Sequence, residues 1–585
     1  MSLSLVSAFV CCSAATLLLL QWRRRRKLLR QIAGAQERRA LSLQEMEKAA
    51  GKFRQQLTRP TFQQQDSKHP SHQPDPILSL SLPQLCEKLR DGSLSLEAVF
   101  YTYVDKAFKV TGDVNCVTEY LTDSNSQLLH VKTLEKKGLL YGVPISIKDS
   151  IDCKGHDSTL GLVKCLNQPA MADAVVVQVL KHQGAIPFVK TNVPQSLLSY
   201  DCSNLIFGRT AHPQDPTRTP GGSSGGEGAL IKSGGSILGI ATDVAGSVRL
   251  PAGFSGVCGF KTTGNRISKK GIIPSISGQK SVAVGIGPMA RDVDSLALCL
   301  KALLCEEMFR LDPTVPPLPF NDQVYSSCHP LRIGYYVTDS FTMPSPSMKR
   351  AVLETKQLLE KAGHMLIPFQ MIHMERFIFD VGMRGLFADG GATFLESFKG
   401  ESADPKIKDI LYIAKSPNWL RHLLSWIIRP ISPRISEALR NMTERSVKEL
   451  WVLHAEIEKY RQEFIAEWKK LDLDVMLCPQ LGPAFKSGFP GKLSVATSYT
   501  VLYNYLDFPA GVVPVTTVTK EDEEELKNHR GYYNDIWDKL FVKAVEGAVG
   551  FPVAVQCVAL PWQEELCLRF MREVEKLTQE GPKIP

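Results

Sequence analysis

Apolar residues recur at intervals of three and four over 82–89 and 96–108, on either side of Asp91-Gly92, which predicts two short helices joined by a turn. The period then falls to two. After Gly142, Val143, Ile145 and Ile147 share one face of a predicted strand, and Ser146 and Lys148 share the other. Residues 172–182 read as a helix stopped by Gly184, and 185–189 as the next strand. Further strands are predicted over 331–337, 475–478, 511–518 and 553–560, each beside a helical run. Strands alternating with helices bury both faces of a sheet, so the pattern predicts an α/β fold. It comprises a single large domain over 79–575, with a twisted mixed β-sheet covered by helices on both faces and a tail over 576–585.

The start of the chain follows a different pattern. Residues 2–20 carry no charge and end in four leucines; as a helix they would cover roughly 28 Å, about one hydrocarbon core. A cleaved signal peptide would place basic residues before the apolar run, whereas here Arg23, Arg24, Arg25, Arg26 and Lys27 follow it. The expectation is a transmembrane anchor over 1–22. The positive-inside rule then puts the rest of the chain in the cytosol, as a single-pass protein of the endoplasmic reticulum or another endomembrane. Residues 23–78 read as a basic juxtamembrane segment and linker arm, helical over 41–57 and extended over 60–76.

Net charge changes the picture only locally. The chain carries +9 overall, and residues 21–60 alone carry twelve Lys and Arg against three Glu, so the remaining body is neutral. A neutral body lacks the electrostatic footprint of a nucleic-acid binder, and no nucleic acid is expected as a partner. The 14 cysteines include no C-x-x-C, and His69 and His72, the one close histidine pair, have no further ligand nearby. No metal and no cofactor is expected.

The chemistry concentrates in two glycine- and serine-rich stretches, 219–230 and 242–251. A phosphate loop would need lysine where Glu227 stands. Gly221-Gly-Ser223-Ser-Gly225 matches the G-x-S-x-G nucleophile elbow, which would make Ser223 the nucleophile. An elbow follows an apolar strand, however, and Ser223 follows a proline-rich polar run over 213–220.

Gly221-Gly-Ser-Ser-Gly-Gly, Asp243-x-Ala245-Gly246-Ser247-x-Arg249-x-Pro251 and Gly142-Val-Pro-Ile-Ser-Ile-Lys148-Asp149 together resemble the amidase signature enzymes, serine hydrolases with a Ser-Ser-Lys triad. The family-like region runs over about 82–570, and the segments from Asp507 and from Pro552 resemble the branch of that family that cleaves fatty acid amides. The resemblance implies Ser247 as nucleophile, Ser223 as bridging serine and Lys148 as base. It also implies that backbone N–H groups of Val244, Ala245, Gly246 and Ser247 form an oxyanion hole. A lysine serves as base only when neutral, and at its reference pKa of about 10.4 that condition predicts activity climbing through the alkaline range. Two positions depart from the family pattern: Ala245, where close relatives often have glycine, and Lys232, where a small residue is usual.

The substrate side is read from the same resemblance. It implies that Leu197, Phe387, Phe394 and Trp537, with the Ser223 and Val244–Ser247 segments, contact a lipid amide of the anandamide or oleamide type. It also implies a homodimer. Residues 418–428, between Pro417 and Pro430, form an amphipathic helix with Trp419, Leu420, Leu423, Leu424 and Ile427 on one face. Such a helix suits a membrane interface, or else a core or dimer contact. The expected function is a membrane-bound serine hydrolase releasing fatty acid and amine through an acyl-enzyme. The alternatives are an amidase for small polar amides, a transamidase subunit, or a catalytically silent membrane scaffold.

Overall fold

The computed structural model describes residues 3–57 and 76–580. The expected linker over 60–76 and the end of the expected tail therefore lie almost wholly outside the described residues. Among the described residues thirteen strands are formed: β1 Val117–Tyr120, β2 Pro144–Lys148, β3 Ile186–Thr191, β4 Ser203–Asn204, β5 Gly208–Arg209, β6 Leu238–Asp243, β7 Cys258–Lys261, β8 Gly285–Ala290, β9 Arg332–Tyr335, β10 Met365–Pro368, β11 Val475–Pro479, β12 Ala510–Thr517 and β13 Pro552–Ala559. Eleven join one sheet in the order β1-β3-β2-β6-β8-β7-β12-β13-β11-β9-β10, and β4 and β5 pair separately. The sheet is mixed: β3, β2 and β6 run parallel, β6 through β11 pair antiparallel, and β11, β9 and β10 are parallel again.

Helices flank the sheet in two groups. Val293–Leu303, Pro346–Lys361 and Glu564–Glu580 pack on its strands and on one another, as do Leu96–Val114, Gly225–Lys232 and Arg249–Ser255. Central strands are buried along their whole length, as a sheet covered on both faces requires.

The N-terminal region corrects the sequence-based expectation. The helix there does not end at Trp22; it runs as one element over Leu3–Leu57, through the arginine cluster. Its later turns lie on the body of the protein, with Met46 and Ala50 buried in the main core and Leu28 and Ala35 packed with Val163, Leu166 and Ile206. Arg39 donates to the Val117 carbonyl at 2.7 and 3.0 Å and to Asn115 Oδ1 at 2.7 Å. The side chains of residues 1–15 lie outside the described residues. Among the described residues, no helix is long and apolar enough to cross a membrane. The transmembrane anchor over 1–22 is therefore withdrawn, and with it the membrane-bound, single-pass endomembrane topology. What reads as an apolar segment plus a basic flank belongs to one helix, whose described part is rich in Lys and Arg and packs on the body from Leu28 onward.

Helix Asn418–Ile428 forms as predicted, but its faces are placed against the core-helix reading. Trp419, Leu423, Leu424 and Ile427 are exposed and Leu420 is half-buried, while Arg421 and Ser425 are turned inward. Ser425 hydrogen-bonds Ser436 of the next helix at 3.0 Å.

Candidate active site

The site forms where the last residue of β2 meets the two glycine-rich segments. Gly221 has φ +86°, and a Cβ there would sit 2.8 Å from the Cα of Pro251, so glycine is what allows the 221–224 loop to lie directly on the 247–251 segment. Helix Gly225–Lys232 then starts beside helix Arg249–Ser255. The Ser224 N–H donates to the Ser247 carbonyl at 3.2 Å, joining the two segments next to both serines.

Lys148 is completely buried. Its Nζ lies 2.7 Å from Ser223 Oγ, 2.9 Å from Thr242 Oγ1 and 3.2 Å from the Thr242 carbonyl. The neighbouring Asp149 points away and pairs with Lys190 at 3.2 Å, so it leaves Lys148 without a direct carboxylate partner. Burial is the main influence on the Lys148 amine and lowers it to about 7, against the opposing pull of Asp243. The alkaline climb expected from an ordinary lysine is thereby corrected: the neutral base is available from about pH 7 upward.

Asp243 organises the turn that carries Ser247. Its carboxylate accepts from the N–H groups of Gly246 at 2.8 Å and Val248 at 3.0 Å, and from Arg249 Nε and NH2 at 3.0 and 2.8 Å. Arg249 also reaches Gln556 and Asn504, both at 2.7 Å. Burial pushes the Asp243 carboxyl upward, but the charge of Arg249 and these hydrogen bonds hold it well below the usual carboxylate range. The sequence motif contained both residues; their pairing was missed because nothing in the local pattern states which way Arg249 turns.

Gly246 carries a second correction. Its N–H is occupied by Asp243, so of the four expected oxyanion donors only those of Val244, Ala245 and Ser247 lack an acceptor among the described residues. Its φ is +118°, and a Cβ would approach Thr500 Oγ1 to 2.5 Å and Leu250 Cγ to 2.9 Å. Gly246→Ala should therefore deform the turn, lowering kcat by about 10²-fold, the scale of one lost oxyanion donor, with a smaller change in KM; steady-state kinetics checks this.

The Ser247 hydroxyl makes no hydrogen bond to a described residue and borders a cavity of about 380 Å³. Ser223 and Thr242 border the same polar end, and the remainder is largely apolar. Its walls come from the helical segments Phe377–Met383, Lys408–Lys415, Pro433–Asn441 and Ile536–Val545, through residues such as Ile378, Met383, Ile410, Leu439 and Trp537. Of the expected substrate contacts, Leu197, Ser223, Val244, Ala245, Ser247, Phe387 and Trp537 line this cavity. Gly246 does not, and its N–H turns to Asp243. Phe394 does not either: it is buried in a small core with Phe387 and meets Phe398 edge-on at 5.0 Å. Sequence reasoning missed Arg434, which is buried against Asp535 and Asp538 and lies 5.5 Å over the Trp537 ring. Lys232 is accommodated at the surface, exposed at the C-terminal end of its helix, with partial burial lowering its amine from the ordinary lysine value.

The elbow reading of Ser223 finds no strand before it, and its partner is a lysine rather than a histidine. Comparison with known proteins agrees with the architecture. The Amidase family model matches residues 98–568. The chain is 55% identical over 549 residues to fatty-acid amide hydrolase 1 of Sus scrofa, covering 94% of this chain and 92% of that one. It is 53% identical over 424 residues to the vitamin D3 hydroxylase-associated protein of Gallus gallus, covering 72% and 89%. Among solved structures, one titled fatty acid amide hydrolase superposes with a TM-score of 0.75 at 24% identity, over 94% of this chain and 95% of that chain, a likeness of fold. Three spaced motifs, an eleven-stranded mixed sheet and a family match over most of the sequence lead to one assignment: this chain belongs to the amidase family.

Proposed function

We propose that this protein is a serine amidase that hydrolyses fatty acid amides to free fatty acid and amine, with Ser247 as nucleophile, Ser223 as proton bridge and Lys148 as base. The observation that carries the reading is the Lys148–Ser223 hydrogen bond at the polar end of an apolar cavity bordered by the Ser247 hydroxyl. A neutral amine has two N–H groups and one lone pair. With the two Thr242 oxygens accepting the N–H groups, the lone pair is left for the Ser223 hydroxyl.

In the first half-reaction Ser247 Oγ bonds to the amide carbon as its proton passes to Ser223 and the Ser223 proton passes to Lys148. The carbonyl electron pair moves onto oxygen, facing the free N–H groups of Val244, Ala245 and Ser247. Collapse breaks the C–N bond, and the proton returns through Ser223 to the departing amine. Water then attacks the acyl-enzyme by the same route and releases the acid.

The apolar lining weighs against small polar amides, and the filled triad positions weigh against a silent scaffold. The relatives named for fatty acid amide hydrolysis support the same substrate class. A homologous series of primary amides tests the reading. Each added methylene that enters the cavity should raise kcat/KM by about four-fold, the equivalent of about 0.8 kcal/mol per buried CH2, until the cavity is filled. Flat or falling kcat/KM from the shortest chain onward would contradict it. Phe387→Ala should weaken the dependence for long chains while leaving short amides nearly unchanged.

A further inference from the structure

Glu227 is a carboxylic acid that the mechanism above does not use, yet the fold makes a place for it directly under the base. It lies on the first turn of helix Gly225–Lys232 and is completely buried. Its Oε2 accepts from Ser146 Oγ at 2.5 Å and its Oε1 from Thr191 Oγ1 at 2.8 Å. These two residues bracket Lys148: Ser146 is two positions earlier on the same face of β2, and Thr191 is the register partner of Lys148 on β3. The third neighbouring strand also yields space, because β6 carries Gly239 opposite Ser146, and any Cβ there would overlap the Glu227 carboxylate. Three strands thus contribute a hydroxyl, a hydroxyl and a gap to one buried acid whose hydrogen-bond donors are both neutral.

The other charges nearby are already committed or different in kind. Asp243 at the end of β6 is held by Arg249, and Lys190 on β3 is held by Asp149. Burial raises the Cys202 and Cys116 thiols to about 12, so they stay neutral. Lys148 is the cation that acts on Glu227.

We propose that Glu227 is a positioning residue that acts through Lys148, its carboxylate being a counter-charge, additional to that of Asp243, for the ammonium formed when Lys148 takes the serine proton. This inference rests on the catalytic roles proposed above. Beside neutral Lys148 the carboxylate is a buried charge without a cation, and burial raises its carboxyl to about 7. Once the proton arrives on Lys148 the two charges neutralise each other, so proton transfer relieves an unfavourable state. The reactive form has both groups deprotonated.

The test is the pH dependence of the rate at which a fluorophosphonate modifies Ser247 in the full-length protein. Glu227→Gln should stay folded, shift the acid-limb midpoint down by about one pH unit and lower the plateau rate by about ten-fold. Thr191→Val keeps the carboxylate but removes a donor, and should move the midpoint up. Midpoints unchanged in both variants would overturn the inference, because a purely structural role changes the amount of active protein and leaves its titration alone. If Glu227→Gln fails to fold, the direction of the Thr191→Val shift decides. Failure of the parent to label at Ser247 would instead sink the catalytic assignment itself.

Discussion

Ser247→Ala should lower amide turnover on the order of 10⁵-fold or more, the scale seen when an acyl-enzyme nucleophile is deleted. Ser223→Ala should be milder, by about 10²–10⁴-fold, because it removes a proton relay and leaves the nucleophile. The ranking follows from the geometry. Ser247 sits on the turn held by Asp243 and Arg249, and its hydroxyl has no described protein partner, so it is available to the amide carbon. Ser223 is buried and already engaged with Lys148. Single-turnover kinetics on purified variants reads the difference, and equal losses in both would remove the reason for assigning them different tasks.

Lys148→Ala should cost about 10²–10⁴-fold in kcat/KM, the usual contribution of a general base, and should abolish the acid limb of the pH profile. The sign follows from protonation. Lysine accepts a proton only when neutral, and burial lowers this amine to about 7, so activity should be low below that pH, rise through it and level off above. A histidine base would give a limb in nearly the same place. The profile of the parent therefore does not identify the base, and the loss of the limb in Lys148→Ala does. An Ala variant that retains the parent's profile at comparable rate would exclude Lys148.

The sequence made part of the sheet and the chemistry legible for different reasons. Strands β11, β12 and β13 hold runs of Val, Leu and other apolar residues, which a buried strand requires. Strands β6, β7 and β8 went unread because glycine breaks their apolar residues into runs too short to read. Gly239 clears room for the Glu227 carboxylate, and a Cβ at Gly287 would overlap the Phe260 carbonyl. The short edge strands β1 and β10, of four residues each, fell below the length at which alternation is visible.

The triad positions stood out because three motifs share a spacing, whereas Glu227, Thr242 and Arg434 act through contacts made 36 to 104 residues away in the chain. No local pattern contains such partners. Phe394 shows the reverse error: the family resemblance marked it as a substrate contact, and it packs behind Phe387 as core.

The most direct test of the account is the site of covalent modification in the unmodified, full-length protein. After reaction with a fluorophosphonate and proteolysis, mass spectrometry should find the adduct on the peptide containing Ser247, formed faster as pH rises through about 7, and slowed but still on Ser247 in Ser223→Ala. An adduct on Ser223 in the parent, or no adduct on either serine, would contradict the assignment.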